Sequence, residues 1–112
     1  MKALVFPVFF VLGLLLSTPA AADSNAGDQA IHDLGAINGV ALQCGYIDQV
    51  RRMKRAIIDN VPKTREKGRI FEEATNKGFL DFIDAKRPCP TEVTVESRVD
   101  EAVKVLEEAF RE

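Results

Sequence analysis

The chain has 112 residues and a formal net charge of −2 at pH 7, with 29% charged and 46% hydrophobic residues. This length favours one small domain. With one tyrosine, no tryptophan and a negative net charge, the chain does not have the composition of a nucleic-acid-binding protein.

The first 22 residues have the pattern of a secretory signal peptide. Lys2 precedes an apolar run over residues 3–16, and three alanines at 20–22 follow Pro19 as in a cleavage site. The run of about 14 residues is short for a membrane span of about 20. We therefore expect residues 1–22 to be removed and residues 23–112 to form a single helical domain in the periplasm. An uncleaved membrane anchor is the alternative.

Helical periodicity predicts the first two elements. We expect residues 23–29 to be a frayed terminus and the first helix to begin near Asp28 or Ala30. Gly39 predicts either a break or a close helix contact. The second helix is expected to include Cys44 and to stop near Asn60, because Pro62 disfavours helical geometry at the preceding residue. Its apolar stripe consists of Tyr46, Val50, Met53 and Ile57.

The rest of the chain predicts two more helices. One is expected from about Thr64 to Ala85, with a possible kink at Gly68 or Gly78, and the prolines at 88 and 90 end it. For the last helix, Thr94 is the predicted N-cap and Glu96 lies in the first turn. Its apolar stripe consists of Val95, Val99, Ala102, Val103, Leu106 and Phe110. The predicted fold class is all-α, a small bundle of four or five helices.

The two cysteines are expected to form a disulfide. An even cysteine count in an exported chain favours a bridge over a reactive thiol or a metal ligand, which are the alternatives. A bond between Cys44 and Cys89 would hold the loop before the last helix against the helical core.

Few residues in this sequence have the type and spacing required for catalysis. His32 is the one histidine, and we expect it to be a solvated surface residue. Zinc needs three or four ligands, and no set with suitable spacing is present. We therefore expect a protein that is not an enzyme and has neither catalytic residues nor a metal or other cofactor.

Charge is distributed unevenly along the chain. Residues 23–50 contain four acidic and no basic side chains, residues 51–69 contain eight basic and two acidic, and residues 70–112 contain six basic and eleven acidic. The basic third is either a solubilising face or a surface that steers an acidic partner. The candidate partner-binding residues are Arg51, Arg52, Arg55, Lys63, Arg65 and Arg69.

Two segments resemble the Rap/Tai immunity proteins. These are Cys44-Gly45-Tyr46-Ile47 and Cys89-Pro90-Thr91-Glu92-Val93-Thr94, the second of which opens the last helix. That family consists of small, exported, helical, disulfide-bonded proteins that neutralise the peptidoglycan amidase toxins of type VI secretion. The resemblance implies a protein partner of that kind and structural roles for Tyr46 and Pro90. The residues alone leave Tyr46 as either a core side chain or an exposed interface anchor.

The chain also resembles the HdeA-type acid-stress chaperones in architecture. They are exported helical proteins of similar length with one disulfide and a comparable placement of the two cysteines, and they coat other proteins that unfold in acid. Acid would neutralise the 17 carboxylates of this chain and leave it strongly positive, which favours opening. A helical interaction module, with a homodimer as one possibility, is the remaining alternative.

Overall fold

A computed structural model describes residues 19–111, which form four α-helices. The predicted all-α class is confirmed, and no strand occurs among these residues. The predicted signal peptide lies mostly outside the described residues, although its last four residues already belong to the first helix. The helices are α1 (Pro19–Cys44), α2 (Ile47–Asn60), α3 (Arg65–Ala85) and α4 (Glu92–Ala109).

Helix α1 is the centre of the bundle. It contacts each of the other three helices, and α2 also contacts α4, whereas α3 packs against α1 alone within the described part of the chain. Lys67 bonds to Asp28 near the beginning of α1 and α3, and Gly78 lies against Ala36 further along both. Helices α1 and α3 are therefore parallel. Helix α4 runs in the opposite direction, since Phe110 at its end lies against Gly27 of α1. Helix α2 runs alongside α4, with Arg52 beside Asp100 and Asp59 near Glu107.

Glycine and alanine allow α1 and α3 to approach closely. A Cβ atom added to Gly39 would lie 2.5 Å from the carbonyl oxygen of Thr75, and one added to Gly35 would lie 2.7 Å from the Cβ of Ala74. The predicted effect of Gly39 is therefore a close helix contact, and α1 continues through it without a break. Helix α3 likewise continues through Gly68 and Gly78.

The frayed terminus predicted for residues 23–29 is wrong. These residues belong to α1, and two contacts hold the segment. The carboxylate of Asp28 accepts a hydrogen bond of 2.6 Å from the ammonium of Lys67, and Gly27 is buried under the ring of Phe110. Both partners lie much later in the chain, in α3 and directly after α4, so sequence periodicity near residue 28 could not indicate them.

The placement of Cys44 in the second helix is also wrong, because Cys44 is the last residue of α1. Gly45 follows with φ +76°, a left-handed conformation that ends the helix without a Cβ clash. The amide of Tyr46 donates to the carbonyl of Ala41, and that of Gly45 donates to Leu42. This hydrogen-bond pair is a Schellman motif.

The remaining ends follow from local chemistry. Helix α2 stops at Asn60 as predicted, and Thr64 caps α3 by accepting from the amide of Lys67. The prediction of Thr94 as the N-cap of α4 is wrong, since Thr91 is extended and its hydroxyl accepts from the amide of Thr94. Helix α4 therefore begins at Glu92, one turn earlier, and Glu92 replaces Glu96 as the acidic residue of the first turn.

The core lies between α1, α2 and α4. The predicted stripes contribute Val50 and Met53 from α2, and α4 adds three more side chains. Phe71 of α3 joins the same cluster. The fully buried large side chains are Ile31, Leu34, Met53, Leu106, Val95, Val99 and Asn38.

Candidate functional site

The segments that carry the cysteines meet at one end of the bundle. Cys44 and Cys89 form a disulfide with their Cα atoms 5.8 Å apart. Beside it, the hydroxyl of the half-buried Tyr46 donates a 2.6 Å hydrogen bond to the carbonyl oxygen of Pro90. The disulfide and this bond fix the loop between α3 and α4 to the turn between α1 and α2.

Three of the candidate partner-binding arginines lie together. Arg51, Arg52 and Arg55 line a groove of about 430 Å³ between α2 and α4, together with Asp59 and Glu107. These two carboxylates partly offset the positive charge, so the groove has a mixed surface.

Ion pairs restrain two of these arginines. Arg51 contacts Asp48 at 3.1 Å within α2, and both side chains are well exposed. Arg52 contacts Asp100 of α4 at 2.6 Å and also donates to Gln49. The Arg52–Asp100 pair therefore links two helices, whereas the Arg51–Asp48 pair is local.

The other three candidate residues are not part of that groove. Lys63 lies in the α2–α3 connection and donates to the carbonyl oxygen of Ile58. Arg65 and Arg69 are exposed on α3, which does not pack against α2 within residues 19–111. The six predicted basic residues thus divide between the α2–α4 groove and the beginning of α3.

A second groove, of about 590 Å³, lies between α2 and α3 with α1 as its floor. We call it the α2–α3 groove. Lys54 lies on its α2 side and Glu72 on its α3 side. Its other lining residues are mainly apolar, with a small polar group at the floor: Asn38, Leu42, Ile57, Ile58, Gly68, Phe71, Thr75 and Asn76.

Asn38 and Thr75 are the buried polar residues among those that line the α2–α3 groove. Its side-chain amide donates to the hydroxyl of Thr75 at 3.2 Å, and that hydroxyl donates to the carbonyl of Phe71 at 2.8 Å. The amide oxygen of Asn38 is buried and has no hydrogen-bond partner among the described residues. A buried acceptor without a donor destabilises the fold, which makes this side chain an unusual choice for a helix interface.

Two lysines have raised pKa values. The hydrogen bond from Lys67 to Asp28 raises the pKa of Lys67 above its usual value of 10.5, against a smaller opposing effect of desolvation. The hydrogen bond from Lys77 to Asp81, one turn along α3, raises the pKa of Lys77 in the same direction. Only the first pair joins two helices.

The other predicted features are peripheral. His32 is exposed, and its Nδ1 lies 3.8 Å from a carboxylate oxygen of Asp33. Within residues 19–111, no three His, Cys, Asp or Glu side chains are grouped so that they could hold a metal ion. In the same range no helix combines the length and apolar character required to span a membrane.

Sequence reasoning missed the α2–α3 groove. A signal for it was present, because Asn38 interrupts the buried stripe formed by Ile31, Leu34 and Ala41 at helical spacing. Gly45 directly after the last α1 residue was also a stop signal of the kind that ends many helices. The α2 and α3 residues that line the groove could not be assigned from the sequence. No local signal indicates that these two helices lie on either side of Asn38 in α1.

No protein family, curated protein or solved structure matches this chain. The resemblances to the Rap/Tai and HdeA-type proteins therefore depend on the residues and on the architecture. The structure brings together the two cysteine segments on which the first resemblance is based.

Proposed function

We propose that this chain is an exported, non-enzymatic binding protein that inhibits a peptidoglycan amidase, in the manner of the Rap/Tai immunity proteins. The observation that carries the proposal is the junction at which the two resembling segments meet. Cys44 is bonded to Cys89, and Tyr46 is bonded to the carbonyl of Pro90. A disulfide is compatible with an oxidising periplasm, where such a partner would be encountered.

The groove between α2 and α4, which contains Arg51, Arg52 and Arg55, is the proposed contact surface. Arg51 and Arg55 are exposed on α2, and arginine is enriched among the residues that dominate binding energy at protein interfaces. Their charge would steer an acidic rim of the amidase toward the groove and would raise the association rate. The junction directly before α2, made by the disulfide and the Tyr46–Pro90 hydrogen bond, would keep this helix in one orientation during binding. The bound protein would inhibit by covering the active-site cleft of the amidase.

The test measures binding and peptidoglycan cleavage at neutral pH with a secreted amidase encoded beside this chain. We expect tight binding and inhibition of cleavage. Arg51→Glu together with Arg55→Glu should weaken inhibition and reduce its salt dependence. Arg98→Glu is the matched control, since Arg98 is exposed near the α1–α4 surface. Absence of inhibition by the unmodified protein would show that the proposal is wrong.

The acid-chaperone function is the second candidate, and two ion pairs between helices favour it. Asp28–Lys67 joins α1 to α3, and Asp100–Arg52 joins α4 to α2. Strong acid neutralises carboxylates, so the electrostatic contribution of these two ion pairs would be lost, while the disulfide limits expansion.

This candidate is tested with an aggregation-prone client protein at about pH 2 to 3, where exposed carboxylates are largely protonated. Far-UV and near-UV circular dichroism of the disulfide-bonded protein are recorded in parallel. The candidate requires loss of near-UV signal together with suppression of client aggregation. A protein that stays folded and leaves aggregation unchanged rules it out.

A further inference from the structure

The floor of the α2–α3 groove contains a polar atom that lacks a partner. Asn38 is 2% exposed and lines this groove. Its amide nitrogen donates to the hydroxyl of Thr75 on α3, and that hydroxyl donates to the carbonyl oxygen of Phe71. The amide oxygen of Asn38 accepts no hydrogen bond from residues 19–111. A molecule in the groove that carries an N–H or O–H group would supply the missing donor, so the ligand must first of all be a donor.

The rest of the groove is mainly apolar and large enough for a small molecule. Leu42 and Ile58, which both line it, are 40% and 55% exposed. The volume of about 590 Å³ lies within the range of roughly 300–1,000 Å³ that is usual for small-molecule sites. Such sites are typically apolar, with a few polar groups that fix the orientation of the ligand. The ligand therefore needs apolar surface in addition to a donor.

The two edges of the groove have opposite charges. Lys54 lies on the α2 edge and Glu72 on the α3 edge, and neither forms an ion pair with any residue in the range 19–111. A ligand with a single charge would be attracted by one edge and repelled by the other, whereas a zwitterion can pair with both. An ionised fatty acid fits poorly for two reasons, since it has only a negative charge and no hydrogen-bond donor.

The separation of the edges sets the length of such a zwitterion. Helices in contact have axes about 8–10 Å apart, and α2 does not pack against α3 within the described residues, so these two axes are further apart. An extended peptide spans at most about 3.6 Å per residue, so three residues cover about 10 Å. The long side chains of Lys54 and Glu72 can cover the remaining distance.

We propose that the α2–α3 groove binds short apolar peptides of two or three residues with free termini. The carboxylate of the peptide pairs with Lys54, and its ammonium group pairs with Glu72. The apolar side chains of the peptide pack on Leu42 and Ile58, and one peptide N–H donates to the amide oxygen of Asn38. This ligand class supplies a partner for the buried oxygen and for both edge charges.

Peptide binding does not depend on the proposed inhibition of an amidase. Arg52 and Arg55 line the groove between α2 and α4, whereas Lys54 and Ile58 line the α2–α3 groove. The two sites therefore use different flanks of α2. Failure of amidase inhibition would leave peptide binding unchanged, and failure of peptide binding would leave inhibition unchanged.

The first experiment is isothermal titration calorimetry of the disulfide-bonded protein with trileucine at neutral pH and low salt. We expect one peptide to bind per chain with a Kd of about 10–100 μM, as for a ligand of this size. N-acetyl-trileucine amide has neither terminal charge and should bind about fivefold more weakly. Decanoate has one negative charge and no donor, and it should also bind more weakly than trileucine.

Variants of the two edge residues test the orientation of the peptide. Lys54→Met should weaken trileucine binding about threefold and make the Kd insensitive to amidation of the carboxyl end. Glu72→Gln should weaken binding by a similar factor and make the Kd insensitive to acetylation of the amino end. Lys104→Met is the matched control, since Lys104 is exposed on α4. This variant should bind trileucine like the unmodified protein.

Asn38→Leu distinguishes a binding role of Asn38 from a structural one. The variant lacks the amide oxygen, so trileucine should bind at least about fivefold more weakly. Its urea midpoint should rise, because a buried acceptor without a donor is destabilising and Thr75 keeps its bond to Phe71. Gln49→Leu is the matched control, since Gln49 is buried outside the groove and accepts from Arg52. It should leave peptide binding unchanged. The exposed edge variants decide the proposal if Asn38→Leu does not fold.

Four outcomes would overturn the proposal. The first is a protein that does not bind trileucine at millimolar concentration. The second is equal affinity for the blocked and the unblocked peptide, which would show that the edges do not bind the termini. The third is tighter binding of decanoate than of trileucine, which would assign the groove to fatty acids. The fourth is an Asn38→Leu variant that binds trileucine as tightly as the unmodified protein.

Discussion

The hydroxyl of Tyr46 donates a 2.6 Å hydrogen bond to the carbonyl oxygen of Pro90, which lies 44 residues further along the chain. Tyr46 immediately precedes α2, and Pro90 lies two residues before α4. Together with the adjacent disulfide, this bond sets where α4 begins relative to α2. The two helices then pack against each other and against α1.

Removing that hydroxyl should destabilise the protein. Tyr46→Phe keeps the ring packed against the core but leaves the carbonyl oxygen of Pro90 without this donor. We expect the free energy of unfolding to fall by about 0.5–1.5 kcal/mol, measured by urea denaturation. If the bond and the disulfide act together, the cost of Tyr46→Phe should change by at least about 0.5 kcal/mol in the reduced protein. An unchanged urea midpoint for the oxidised variant would contradict the structural role of Tyr46.

Reduction of the disulfide should have a larger effect. The Cys44–Cys89 bond closes a loop with a sequence separation of 45. Such a bond typically contributes about 2–4 kcal/mol, mainly by restricting the unfolded chain. This is a large share of a total stability of about 5–10 kcal/mol. We expect the double variant Cys44→Ser/Cys89→Ser to unfold at the same urea concentration as the reduced protein. A variant as stable as the oxidised protein would contradict this expectation.

Much of the fold followed from local sequence signals. The helical stripes around Met53 and Val99 predicted buried positions, and Pro62 predicted the end of α2. The errors came from helix ends. Thr94 directly precedes the apolar stripe and is the predicted cap, whereas Thr91 follows the fixed backbone of Pro90 and caps one turn earlier.

Relations between distant helices were harder to predict. A glycine in a helix indicates either a point where the helix is easily broken or a close contact with another element. Only the position of α3 shows that Gly39 makes a close contact. Likewise, the basic third of the sequence suggested one surface. Folding divides it, because Arg55 faces α4 whereas Arg69 lies on α3. Charge counted along a chain does not give its distribution in space.

Two glycine substitutions should have opposite effects. Gly39→Ala would put a Cβ 2.5 Å from the carbonyl oxygen of Thr75 and 2.8 Å from the carbonyl carbon of Gly78, and backbone atoms cannot move aside cheaply. We expect a loss of about 1–3 kcal/mol in unfolding free energy. Gly68→Ala is the matched control in α3, because nothing lies within 4 Å of its added Cβ. It should stabilise the protein by about 0.5–1 kcal/mol. Equal effects of the two substitutions would show that α1 and α3 do not pack this closely.

The ion pair between Lys67 and Asp28 should make stability depend on pH in the alkaline range. The hydrogen bond to Asp28 raises the pKa of Lys67 in the folded protein, so the folded state holds this proton more tightly than the unfolded state. The stabilisation is therefore complete below the usual pKa of 10.5 and is lost as pH rises through the folded-state value.

At neutral pH, Lys67→Met should cost about 0.5–1 kcal/mol, since both side chains are partly exposed to screening solvent. The difference between the variant and the unmodified protein should shrink above the usual pKa. Lys77→Met is the control, because Lys77 pairs within α3 and is well exposed, so its effect at neutral pH should be smaller. Urea midpoints measured from neutral to strongly alkaline pH would test this, and a constant difference across that range would contradict it.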